Sequence, residues 1–211
     1  MNDDPRPGLV AAARCFYRQG WMVGTAGNLS ARLSDGSFWI TVSGKAKGEL
    51  QPTDFIRIAP DGTVLEQYEP SARPSAETSI HQAIYSLFPE AKACYHVHSI
   101  EANLVSRFVK QDFLPLPPIE MLKGLGVWEE NPNVAMPVFD NHLHVPRIAA
   151  EICDRFQKLP PSIPALLIRD HGITVWASST AAARNYVELV EYILRYILEA
   201  RKVGIGIPAV Y

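Results

Sequence analysis

The sequence predicts an α/β fold, a single domain in which helices are layered around a central sheet that is mostly antiparallel or mixed. Three observations predict it. Strand-length apolar runs and segments of helical period are interspersed along the chain. They do not follow the strict β–α alternation of a doubly wound parallel sheet. The 211 residues, 47% of them apolar, suffice for one substantial core, and no internal repeat or low-complexity stretch divides it.

Residues 8–19 ("GLVAAARCFYRQ") carry apolar side chains at helical spacing and stop at Gly20. Residues 23–33 ("VGTAGNLSARL") read as a loop of small polar residues. "SFWITVSG" (37–44) and "DFIRIAP" (54–60) read as strands, the second turning at Asp61-Gly62 into "TVLEQY". Ser75 is a natural N-cap for a helix over 76–88. There Ile80, Ala83, Ile84 and Leu87 form an apolar stripe, and Pro89 follows the end. "KACYHVH" (92–98) is a buried strand, "RIAAEICDRFQ" (147–157) a helix after Pro146, and "PALLIRDHGITVWAS" (164–178) two strands broken at Asp170-His171-Gly172. The last helix runs from Thr180 to Lys202 on a stripe through Ala183, Val187, Val190, Leu194 and Ile197. Arg201 and Lys202 precede its stop at Gly204.

Bulk properties narrow the function. A net charge of -2 gives no electrostatic case for nucleic acid or an anionic membrane, so an anionic substrate must be met by local donors. No apolar run approaches the roughly 20 residues that span a bilayer. The acidic, proline-bearing start "MNDDPRPG" is unlike a signal peptide. Cys15, Cys94 and Cys153 are odd in number and widely spaced, which suits free thiols in a cytoplasmic protein.

The chemistry concentrates in a few places. Side chains two apart on a strand share a face, so His96 and His98 in "YHVHS" can converge on a metal ion. A catalytic zinc takes three protein ligands, and His171, at a bend beside a glycine, is the candidate third. His142 and His144 repeat the spacing but lie in a polar loop, and His81 reads as a surface or boundary residue. Three short loops suit a phosphate. The first offers Thr25, Gly27, Asn28 and Ser30, the second Ser43, Gly44, Lys45 and Lys47, and the third Ser75 at a helix start beside Arg73.

"GTAGNLS", "TVSGKAKG", "PSAETSIHQAIY", "YHVHS" and "LIRDHGITVW" together resemble the class II aldolase/adducin-head superfamily, over about residues 8–203. Its enzymes are zinc-dependent and act on sugar phosphates. "IEMLKGLGVWEENPNVAMPVFDN" (119–141) resembles the superfamily's dehydratase branch, which dehydrates methylthioribulose 1-phosphate in methionine salvage. The resemblance implies Zn2+ on His96, His98 and His171. It implies a substrate phosphate held by Thr25, Gly27, Asn28, Ser43, Gly44, Lys45 and Ser75. It also implies a cytoplasmic homotetramer with sites near subunit interfaces.

Two carboxylates compete for the acid/base role. Glu120 stands where the dehydratases carry theirs, whereas Glu77 matches the catalytic glutamate of the aldolases. Ala76 departs from the aldolase loop, which has a serine there. A sugar-phosphate aldolase or 4-epimerase, and a non-catalytic module like the adducin head, are the alternatives.

Overall fold

The computed structural model describes residues 4–206. Its strands are β1 (Asn28–Arg32), β2 (Phe38–Thr41), β3 (Phe55–Ile58), β4 (Val64–Glu66), β5 (Ala93–Val97), β6 (Phe113–Pro115), β7 (Ala135–Phe139), β8 (Ala165–Ile168) and β9 (Gly172–Ala177). Its helices are α1 (Arg6–Arg18), α2 (Thr78–Leu87), α3 (Ile100–Phe108), α4 (Val145–Lys158) and α5 (Thr180–Lys202), with a 3-10 helix at Glu120–Leu125.

The nine strands form one sheet in the order β4-β3-β2-β1-β5-β9-β8-β7-β6. Every neighbouring pair is antiparallel except β7–β8. The chain is therefore an α/β structure around a mostly antiparallel sheet. Strand alternation sends Leu29, Ala31, Tyr95 and Val97 into a core shared with α1, α3 and α5. Phe38, Ile40, Cys94 and Trp176 enter a second core beneath α2 and α4. Each fully buried aliphatic side chain contributes roughly 1.5–3 kcal/mol.

The two margins of the sheet differ from its centre. β4 has three residues, all exposed, and β6 ends at Pro115, which has no backbone N–H.

Two elements depart from the sequence pattern. Residues 23–33 are not all loop, because β1 starts at Asn28. Its polar residues, Asn28 and Ser30, are buried and face partners on α2, so a run that looks like loop is an alternating strand. Ser75 does not cap α2. Pro74 is bridged to Val42, which carries the chain past β2 before it can coil. Glu77 takes the cap position, and its N–H donates to Ser75 Oγ at 3.3 Å. The sequence pattern assigns no element to α3, β6, β7 or the 3-10 helix.

Candidate metal centre and anion pocket

His96 lies on the central strand β5, with Asn28 of β1 opposite it on one side and Thr174 of β9 on the other. His98 follows the end of β5, and its N–H donates to Trp21 O at 2.8 Å. His171 sits in the three-residue turn between β8 and β9, beside Asp170 with φ 50, a conformation aspartate tolerates. Gly172 makes this turn fit, since a Cβ there would stand 2.0 Å from Val97 O. Only glycine lets β9 close on β5 where His171 must reach the other histidines. Glu77 arrives from the start of α2.

These residues converge. His96 Nε2 is 2.7 Å from His98 Nε2 and 3.4 Å from His171 Nε2. Glu77 Oε1 is 2.7 Å from His171 Nε2 and 3.5 Å from His96 Nε2. The rings are mutually edge-to-face, with centroids 4.5 to 4.8 Å apart. Burial lowers His96 to about 4 and His98 to about 3, so both are neutral and offer lone pairs at neutral pH. His96 Nδ1 is engaged by Thr174 Oγ1 at 3.0 Å, which leaves Nε2 for an ion. Burial opposes the charge on Glu77, but His96, then the hydrogen bond from His171, hold its pKa well below the usual carboxylate range. Three converging imidazole nitrogens beside a carboxylate fit a divalent metal, all within 4.8 Å of one another.

A cavity of about 190 Å³ opens beside the histidines. Thr25, Gly27, Asn28, Ser43, Gly44 and Ser75 all line it, together with Lys47, Glu77 and His98. Gly27 (φ 77) and Gly44 (φ 76) supply the left-handed turns, and a Cβ on Gly27 would meet His96 O at 2.8 Å. Lys45 points elsewhere. Its Nζ pairs with Asp54 at 3.1 Å and Glu69 at 3.4 Å. The cation at the cavity is the buried Lys47, whose Nζ donates to Thr25 O at 2.6 Å and Lys45 O at 3.0 Å and so ties two loops together. Burial lowers its pKa, against the pull of Glu77.

Glu120 stands apart from the histidine cluster. It opens the 3-10 helix, pairs with Lys123 at 2.9 Å, and lines a different cleft with Trp128. His142 pairs with Glu151 at 3.1 Å, and neither it nor His144 joins the cluster. His81 is no surface residue: it is fully buried, because α2 turns it onto the sheet between Asn28 and Ser30. The signal for it is Glu77, His81 and Tyr85 recurring every four residues on α2, opposite the alternating Asn28 and Ser30.

Known proteins resemble this chain in sequence and in fold. Residues 8–198 match the family described as Class II Aldolase and Adducin N-terminal domain. A methylthioribulose-1-phosphate dehydratase of Microcystis aeruginosa is 64% identical, over 95% of this chain and 98% of the relative. One of Leptospira biflexa is 48% identical, over 92% and 96%. An L-fuculose 1-phosphate aldolase superposes with TM-score 0.80 at 22% identity, covering 99% of this chain and 92% of that one. Another, from Thermus thermophilus, does so with TM-score 0.76 at 22% identity, over 98% of each. The chain belongs to the class II aldolase and adducin N-terminal domain family, among relatives named methylthioribulose-1-phosphate dehydratase.

Proposed function

We propose that the chain is a zinc-dependent hydro-lyase of methionine salvage that dehydrates 5-methylthioribulose 1-phosphate to 2,3-diketo-5-methylthiopentyl 1-phosphate. The observation that carries it is the cavity lined by His98, Glu77 and the small-residue loops, in which a bound phosphate would lie beside the histidine cluster.

Dehydration removes the C3 proton, which is α to the ketone, and expels the C4 hydroxyl. The enol product then becomes the 2,3-diketone. His96, His98 and His171 would hold the zinc, a Lewis acid that stabilises negative charge developing on the substrate carbonyl. Thr25, Gly27, Asn28, Ser43, Gly44 and Ser75 hold the phosphate, with Lys47 in the role the resemblance gives to Lys45. Glu77, ionised inside the cavity, takes the C3 proton. Glu120, exposed beside Trp128, reaches in from a neighbouring subunit of a cytoplasmic homotetramer and protonates the C4 hydroxyl, which leaves as water.

A second reading is favoured by Glu77 alone standing in the site of its own subunit: a sugar-phosphate aldolase or 4-epimerase. A turnover assay on methylthioribulose 1-phosphate, with and without a chelator, separates the two. Metal-dependent growth of diketone absorbance is the expected result. Release of a three-carbon ketose phosphate from a longer sugar phosphate would establish the aldolase instead. Protein that retains no metal and turns over neither substrate would be a binding module.

A further inference from the structure

We infer that His81 is a positioning residue for Glu77, acting through the side-chain amide of Asn28. This rests on the proposed catalytic role of Glu77. Polar side chains buried between a helix and a sheet cost free energy unless each finds a partner. Five of them lie between α2 and β1, and each does. The contacts alternate between the two elements. Asn28 Nδ2 reaches Glu77 Oε2, and His81 Nε2 lies 2.5 Å from Asn28 Oδ1. His81 Nδ1 lies 2.6 Å from Ser30 Oγ, which is 2.7 Å from Tyr85 Oη.

Counting protons gives this chain a direction. An ionised carboxylate only accepts, so Asn28 turns its NH2 to Glu77 and its carbonyl oxygen to His81. That oxygen needs a donor, so the neutral imidazole carries its proton on Nε2. Nδ1 is then bare and accepts from the Ser30 hydroxyl. Ser30 has no second proton, so it leaves the Cys94 carbonyl at 3.3 Å without one and Tyr85 donates to it. Each link uses one donor and one acceptor. His81 touches neither the metal cluster nor the anion cavity. Its effect passes through Asn28, whose second amide hydrogen remains available to the anion in the cavity that Asn28 lines. One Oε of Glu77 is thereby tethered while the other faces the histidines. Without the Nε2–H, the amide is free to flip and set an oxygen against the carboxylate.

The test reads the tautomer first, by long-range 1H–15N spectra of the zinc-loaded, histidine-labelled protein. A neutral His81 protonated on Nε2 is expected, and a proton on Nδ1 overturns the assignment. No variant or turnover is needed for this measurement. Two substitutions then separate positioning from packing. Glutamine places an amide NH2 near the position of Nε2, and asparagine places its polar group near Nδ1. His81→Gln should keep kcat within about threefold, while folded, zinc-loaded His81→Asn loses about a hundredfold. Inorganic phosphate should bind about tenfold more weakly to the asparagine variant alone. Variants that lose only melting temperature would make His81 structural. The phosphate pattern appearing without dehydration of any methylthioribulose 1-phosphate would sink the proposed reaction and leave the positioning role standing.

Discussion

Glu191 lies on α5 with both carboxyl oxygens buried and, among the described residues, no well-formed hydrogen bond to either. Burial pushes its pKa up to about 8, Ser99 pulling the other way and Glu101 adding to the rise. Between 4.5 and about 8 the folded chain therefore holds a proton that the unfolded chain has lost. Stability falls as pH rises across that window, at about 1.4 kcal/mol per unit. Glu191→Gln should flatten the fall, and denaturant melts through the window check it; an unchanged slope would refute it. The buried histidines have the opposite sign. His81, His96 and His98 sit near 4, 4 and 3 in the folded chain, against 6.5 unfolded. The unfolded chain binds more protons there, so metal-free protein should lose stability as pH drops below 6.5. At the site itself, Glu77→Gln should retain its metal by elemental analysis yet lose about 10²- to 10⁴-fold in kcat. His171→Ala should lose the metal.

The β8–β9 turn shows how an element makes a site. His171 reaches the histidines of β5 because Gly172 lets two backbones touch, so Gly172→Ala forces β9 away from Val97. The expected cost is about 1–3 kcal/mol in stability and about 10- to 100-fold in metal affinity. Calorimetry and a competitive chelator measure both, and wild-type affinity would contradict the account. The same turn was legible in the sequence, where two apolar strands break at Asp-His-Gly. So were α1, α4 and α5, whose stripes have helical period, and the convergence of His96 on β5 with His98 just past its end. β1 was not legible, because its buried Asn28 and Ser30 have the composition of a loop and are satisfied only by α2. Nor was the burial of His81, for a polar residue on an amphipathic helix shows its partner only when the helix is docked. Lys45 and Lys47 are two apart in one loop, and only the folded backbone tells which ammonium turns inward.

At the scale of the molecule, one subunit assembles the histidines, Glu77 and the anion loops, and holds Glu120 elsewhere. If neighbouring subunits supply Glu120, mixed oligomers of inactive His171→Ala and inactive Glu120→Gln chains should regain activity. Oligomers of either chain alone should not. No gain on mixing would return Glu120 to its own subunit or remove it from catalysis. The margins of the sheet bear on how such oligomers form. The exposed, three-residue β4 and the proline-ended β6 offer a newcomer few backbone amides to pair with. Copies of the chain that associate would then recognise one another by the shapes of their side chains rather than by lending each other strands. Recognition of that kind has a symmetry at which it can close, whereas an unguarded ribbon edge keeps adding chains until it is a fibre.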